Sequence, residues 1–195
     1  MKCFARMVVG VALVGMSLMG GNDAGATMVV NGGFETGDFS GWTTAPAASG
    51  RLFGVDGLVP HSGSQGAFFG AFEQAVDSIS QAIPTIPGQS YIFEFWLSND
   101  SPGDNRFLVL WGGVPVIDFT DVSAFDYARH TFNVSAVRAS TLIEFSGANV
   151  GGFYNLDDVS VEPVPEPSTF LLLGAGIVGA GLLTRRFRRP LSPPR

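Results

Sequence analysis

Ser90 to Asn99 reads SYIFEFWLSN, with Tyr91, Phe93, Phe95 and Leu97 on one side and Ile92, Glu94 and Trp96 on the other. A period of two belongs to a strand that turns one face to a core. A helix built from these residues would scatter its rings around the axis and bury few of them. This one segment therefore commits the chain to a sheet, and its neighbours repeat the pattern. Arg106 to Trp111 groups Phe107, Val109 and Trp111, and Gly112-Gly113 then turns the chain into Val114 to Thr120 as a hairpin. Further strands are expected at Tyr127–Ser135, Thr141–Ser146, Phe153–Glu162, Arg51–Val55, Ala67–Phe72 and Asp77–Ile83, separated by Pro-Gly, Asn-Asp and Gly-Ala-Asn clusters. No stretch of the body carries a convincing amphipathic helix or an internal repeat. About nine short strands at this spacing predict an all-β fold, an antiparallel β-sandwich of jelly-roll type.

The body, residues 27–163, has the length of one domain. Its charge is lopsided, with Arg51, Arg106, Arg129 and Arg138 and no lysine against fifteen carboxylates, a net of −11. Such a surface repels phosphate backbones, which argues against nucleic acid as a partner, and suits divalent cations or neutral partners such as sugars. Most of these charges need no role beyond solubility.

Both ends of the chain are apolar. Lys2 and Arg6 precede the uncharged run Met7–Met19, and Ala24-Gly25-Ala26 offers a small-residue cleavage site, so residues 1–26 are expected to be a signal peptide. The only cysteine, Cys3, lies in that segment, so the body must hold together without disulfides. At the other end Pro165, Glu166 and Pro167 precede the charge-free run Phe170–Leu183, and Arg185, Arg186, Arg188 and Arg189 follow; residues 190–195 form a basic, proline-containing tail. The run 170–183 is expected to enter lipid as a transmembrane helix, because only a helix satisfies every backbone group there, with the arginines on the cytoplasmic side. As a helix it measures about 21 Å against a hydrocarbon core of about 30 Å, barely a lasting anchor. Gly174-Ala175-Gly176-Ile177-Val178-Gly179 matches G-x-G-x-x-G, but no βαβ unit follows it, so a nucleotide site is rejected.

The order Pro-Glu-Pro, apolar run, arginine cluster over residues 164–189 resembles the PEP-CTERM sorting signal of exported proteins in Gram-negative bacteria. That resemblance implies an exosortase-type sorting enzyme as partner and passage through the inner membrane. It also implies a transient membrane anchor, and a destination in the cell envelope or extracellular matrix.

A second resemblance concerns the body. Its opening, Asn31-Gly32-Gly33-Phe34-Glu35-Thr36-Gly37-Asp38-Phe39-Ser40-Gly41-Trp42, and its close, Tyr154-Asn155-Leu156-Asp157-Asp158-Val159-Ser160-Val161, are similar to the first and last strands of carbohydrate-binding-module jelly rolls with a galactose-binding-like fold. The resemblance implies that the two ends meet at a structural Ca²⁺, with Glu35 and one of Asp157 or Asp158 among its ligands. Calcium takes six to eight oxygens, and the sequence does not name the rest. In a regular strand Asp157 shares the core face of Val159 and Val161, where an unpaired carboxylate is costly. A metal ion or a cluster of backbone N–H groups would offset that cost; a solvated pair on an edge strand is the plainer alternative.

Sugar-binding sandwiches stack aromatic rings on pyranose faces. Trp96, opposite the Tyr91/Phe93/Phe95 face and beside Glu94, is the expected ligand platform, whereas Trp42 and Trp111 are expected in the core. No nucleophile elbow, zinc-protease motif or reactive cysteine occurs in the body, and His61 and His130 are expected on strand faces or at the surface. The leading expectation is a non-catalytic exported protein whose body binds exopolysaccharide or another glycan. A structural matrix protein without a ligand and a small carbohydrate-active hydrolase are the alternatives.

Overall fold

The computed structural model describes residues 27–47, 52–72 and 75–165. The expected signal peptide, Glu166, Pro167, the apolar run 170–183 and the arginine cluster lie outside the described residues. Among the described residues there is no helix, and all regular structure is strand.

Among the described residues ten strands form two antiparallel sheets. They are β1 (Thr43–Ala45), β2 (Phe53–Asp56), β3 (Gly66–Phe69), β4 (Asp77–Pro84), β5 (Ser90–Asn99), β6 (Asn105–Trp111), β7 (Val114–Thr120), β8 (Phe125–Ser135), β9 (Ser140–Asn149) and β10 (Tyr154–Pro163). One sheet runs β1-β4-β9-β6-β7 and the other β2-β3-β10-β5-β8, so the fold is the expected all-β jelly roll. The nine expected strands are all present. The tenth, β1, has three exposed residues on a sheet edge and carries no pattern to betray it.

The core follows from the alternation. Tyr91, Phe93, Phe95 and Leu97 of β5 are buried and meet Phe107 and Val109 of β6 and Phe145 of β9 from the opposite sheet. The ring of Phe95 stands edge-on to that of Phe145, centroids 5.1 Å apart, the arrangement that aromatic quadrupoles favour. Trp42 and Trp111 are buried as expected, and each indole N–H finds a carbonyl, of Asn31 at 3.1 Å and of Ser135 at 2.9 Å.

Two departures from regularity shape the middle of the second sheet. β10 lies between β3 and β5, not on an edge, and its register against β5 shifts between Asp157 and Ser160. Asp158 sits there in the left-handed region at φ 51°, the signature of a bulge. The extra residue reverses the parity of the strand. Tyr154 and Leu156 face the core before the bulge, and Val159 and Val161 face it afterwards. Asp157 therefore does not share the core face of Val159. It pairs with Trp96 and points with it to the outer face of the sheet. The bulge corrects the core-face placement of Asp157, and the central position of β10 corrects the solvated-edge one.

The bulge also marks where β3 stops covering β10. β3 pairs with Tyr154 to Leu156, and beyond the bulge the opening of the domain takes its place. The Met28 N–H donates to the Val161 carbonyl at 3.1 Å, and the Val159 N–H to the Gly32 carbonyl at 2.9 Å. Gln81 of β4 clamps the same segment with both ends of its amide on the backbone of Val30. The two ends of the domain meet here, as the second resemblance implied.

Candidate functional site

The loop 57–65 between β2 and β3 folds over the outer face of the second sheet. Asp157 receives it. Its Oδ2 accepts the backbone N–H groups of His61 at 2.9 Å and Ser62 at 3.1 Å, and its Oδ1 accepts the N–H of Asp158 at 2.7 Å. Asp157 is fully buried, and burial raises its pKa above the ordinary carboxylate value despite these donors, with the Asp158 charge adding to the rise. Asp158 holds the side chains of the same loop, with Oδ2 on His61 Nδ1 at 2.6 Å and Oδ1 on Ser62 Oγ at 2.7 Å. A carboxylate only accepts, so the proton of this pair sits on Nδ1. Glu35 holds the end of the loop, accepting the N–H groups of Ser64 at 2.9 Å and Gln65 at 3.1 Å on Oε1 and the Ser64 hydroxyl at 2.9 Å on Oε2. The Ser64 N–H, then its hydroxyl, then the Gln65 N–H hold this carboxyl below its usual range.

The three carboxylates named from the sequence thus converge on one loop. Gly33 stands between them: a Cβ there would lie 3.7 Å from Asp158 Oδ1, 3.8 Å from Asp157 Oδ1 and 3.9 Å from Glu35 Cγ. The chain's own donors hold them in place. All six carboxylate oxygens already accept N–H or O–H donors of the chain itself. Among the described residues no group of three or more His, Cys, Asp or Glu side chains is arranged to hold a metal ion. The backbone N–H cluster, the other solution open to a buried Asp157, is the one present.

His61 carries the loop onto Trp96. Its imidazole is stacked on the indole with ring centroids 3.8 Å apart, and it meets Tyr127 edge-on at 5.2 Å. The Tyr127 hydroxyl donates to the Val59 carbonyl at 2.8 Å, pinning the near side of the loop. Burial first, then the charges of Asp157 and Asp158, raise the pKa of that phenol, so it stays a donor at any physiological pH. One face of Trp96 is consequently taken. Glu94 is taken as well, by Arg129 at 2.7 Å and the Thr131 hydroxyl at 2.9 Å. The expected platform is on the expected face, but His61, expected only on a strand face or at the surface, covers it from loop 57–65.

A cleft opens next to this corner, toward the end of the sandwich where β5 stops and β8 begins. Its volume is about 630 Å³ and its walls include Ser98, Asn99, Asp100, Asp126, Tyr127 and Asn155. That volume is in the range of small-molecule sites, about 300–1,000 Å³. Asn155 Nδ2 donates to Ser98 Oγ at 3.1 Å, which fixes both side chains on the floor. Below the floor a buried amide network ties the bordering loops together. Asn149 Nδ2 donates to Asn99 Oδ1 at 2.8 Å, Asn99 Nδ2 to the carbonyls of Val122 and Ser123, and the Tyr154 hydroxyl to Asn105 Oδ1 at 2.6 Å. Hydroxyl, amide and carboxylate groups flanked by the aromatic rings of Phe125 and Tyr127 match the hydrogen-bonding edges of a polyol. None of the cleft residues is expected as a ligand contact from the sequence, where Ser98 and Tyr127 are ordinary strand residues and Asn155 stands only within the closing motif.

Residues 163–189 match the PEP-CTERM protein-sorting motif. The motif indicates export with membrane-associated sorting, in agreement with the first resemblance. No curated protein matches the chain. Solved structures share the fold of the body. TmCBM61, determined in complex with β-1,4-galactotriose, matches with a TM-score of 0.57 at 19% identity, covering 71% of this chain and 99% of its own. A family 16 carbohydrate-binding module matches at 0.50 and 16% identity, covering 69% and 99%. The K1 cleaved adhesin domain of Lys-gingipain from Porphyromonas gingivalis W83 matches at 0.52 and 14% identity, covering 68% and 96%. The body shares the jelly-roll fold of these carbohydrate-binding modules.

Proposed function

We propose that this exported protein is a non-catalytic carbohydrate-binding protein of the cell envelope or extracellular matrix, and that its body takes a neutral glycan in the cleft beside Tyr127. The observation that carries the reading is the cleft itself. Ser98, Asn155 and Asp100 stand with Tyr127 around about 630 Å³ on a fold shared with carbohydrate-binding modules. Asp100 and Asp126 at its walls, on a body of net charge −11, disfavour acidic sugars and leave neutral ones. The contact moves from the expected Trp96 platform to the cleft because His61 occupies the indole face. Sorting by an exosortase-type enzyme at the Pro165–Pro167 segment would deliver the body outside the inner membrane, where such glycans occur.

Affinity electrophoresis of the chain in gels containing neutral polysaccharides (galactan, xylan, mixed-linkage glucan) tests the reading, with Asp126→Ala beside it. Retardation in at least one gel, reduced in the variant, is the expected result. No retardation in any of them would favour the second reading, a structural matrix protein without a ligand. The specific observation behind that reading is the covered face of Trp96.

A further inference from the structure

The two ends of the sandwich differ in kind. β4, β6, β8 and β10 stop at one end, and β5, β7 and β9 begin there. Val164 is tied down at this end. Its N–H donates to the Ser90 carbonyl at 2.9 Å and its carbonyl accepts from Gln89 Nε2 at 2.7 Å, after which Pro165 leaves the body. The turns here are residues 85–89, 112–113 and 136–139, and they contain no acidic residue. They present Ile86 (66% exposed), Val114 at the start of β7 (64%) and Val137 (80%), with Arg138 beside them. Between the 112–113 and 136–139 turns lies a groove of about 440 Å³ floored by Trp111 and Thr141 and rimmed by Val114, Val137 and Leu142. At the opposite end the turns 100–104 and 121–124 carry Asp100, Asp104 and Asp121.

Single exposed aliphatic residues are ordinary on a soluble surface. These share the one end from which the sorting segment departs. Only residues 166–169 separate Pro165 from the apolar run 170–183. The five steps from Pro165 to Phe170 reach at most about 18 Å, so whatever holds that run is close to this surface. Charge points the same way. A body of net −11 is repelled by an anionic bilayer in every orientation that presents its carboxylates, and the end whose turns carry Arg138 and no acid presents few of them, Glu162 near the end of β10 and Glu166 after Pro165 being the neighbours in sequence.

We propose that this end of the sandwich is a lipid-contact surface: with the run 170–183 held in the bilayer, Ile86, Val114 and Val137 enter the headgroup boundary and Arg138 meets anionic phosphates. Apolar side chains with a base among them are the composition that lies in a membrane interface. The inference rests on the membrane-associated sorting of the tail and is independent of glycan binding. Its consequence is an orientation, with the polar cleft turned away from the membrane.

The test uses the full chain with Cys3→Ser, reconstituted in vesicles of phosphatidylethanolamine and phosphatidylglycerol and isolated by flotation. A nitrobenzoxadiazole label is placed at Val137→Cys or, at the far end, at Asp104→Cys. Lipids carrying a nitroxide near the headgroup should quench the label at 137 and blue-shift its emission, and leave the label at 104 unchanged. Removing phosphatidylglycerol, or adding Ile86→Asp and Val114→Asp, should weaken the quenching at 137. Equal quenching at both positions in floated vesicles would overturn the proposal. So would quenching at 137 that requires added inner-membrane protein, which would make this a protein-docking surface.

Discussion

The imidazole of His61 lies flat on the indole of Trp96, the two planes 16° apart, and Asp158 holds it there through Nδ1. A stacked pair of this kind contributes about 0.5–1.5 kcal/mol and a hydrogen bond to a charged group about 1.5–3 kcal/mol, both lowered by partial exposure. His61→Ala should therefore cost about 2 kcal/mol in urea denaturation. It should also open the indole to water, read as a red-shifted emission and faster acrylamide quenching than in the unmodified chain. The emission changes should disappear in a Trp96→Phe background, because no other tryptophan stacks on His61.

Much of this arrangement could be read in the residues, and what could not has a physical cause. Strand β5 was legible because its inner face is four large apolar side chains in strict alternation, and the β6–β7 hairpin because Gly112-Gly113 punctuates it. Trp96 was rightly set on the outer face by the same alternation. Asp157 was misplaced because a bulge adds one residue to the count, and a parity argument has no means of seeing an insertion whose only mark is the left-handed backbone of Asp158. His61 was missed because its partners, Trp96 and Asp158, are distant in sequence, and the chain carries no local sign that loop 57–65 folds back. The cleft was missed for the same reason: its walls come from β5, β8, β10 and three loops.

Asp157 is held by three N–H groups, and removing its carboxylate leaves them without acceptors in a buried place. Each unsatisfied group costs about 1–3 kcal/mol, partly relieved by water entering from the loop side. Asp157→Ala should lose roughly 3–4 kcal/mol and free loop 57–65 for proteolysis. Because donors fill all six carboxylate oxygens at this corner, calcium should leave the melting temperature of the unmodified chain unchanged, and chelator should do the same. A calcium-dependent rise in calorimetry, abolished by Glu35→Ala, would restore the ion that the resemblance implied.

His130 faces inward on β8, stacked on Phe95 with centroids 5.5 Å apart and edge-on to Phe119. Its Nε2 is buried without a hydrogen-bond partner, and burial lowers its pKa from the ordinary 6.5. The folded chain thus binds this proton less readily than the unfolded one. The resulting stability is complete above pH 6.5 and is lost as pH falls through the folded value. Asp77 and Asp157, raised by burial, work in the opposite sense: their contribution is complete below 3.8 and lost as pH climbs through their folded values. Subtracting the denaturation curves of His130→Phe from those of the unmodified chain isolates the first effect. The difference should grow in favour of the variant as pH is lowered from 7 to 5, and a difference independent of pH would refute the assignment.

Gly32 has no room for a side chain. A Cβ at this position would collide with the carbonyl of Val159, whose own N–H is bonded to the Gly32 carbonyl. Gly32→Ala should therefore push the opening segment off β10 beyond the bulge, at a cost of about 2–3 kcal/mol from overpacking and the lost hydrogen bond. Hydrogen exchange should report the damage locally, with the amides of Met28 and Val159 losing protection before those of β5.

The cleft offers the last test, because its shape depends on residues that never face it. Asn105 Oδ1 accepts the Tyr154 hydroxyl and the Val122 N–H, while its Nδ2 donates to the carbonyls of Ser101 at 3.3 Å and Val122 at 2.9 Å. One buried amide thereby sets the loops on either side of the cleft, 100–104 and 121–124. Removing it strands several buried groups at once, so Asn105→Ala should cost roughly 3 kcal/mol and disorder both loops. Tyr154→Phe removes a single donor and leaves Asn105 Oδ1 bonded to Val122, so about 1 kcal/mol is expected with the loops in place. Any glycan retardation should follow the loops more than the stability. It should be lost in Asn105→Ala at temperatures where that variant is still folded, and be kept in Tyr154→Phe. Retention in both variants would move the binding site away from this cleft.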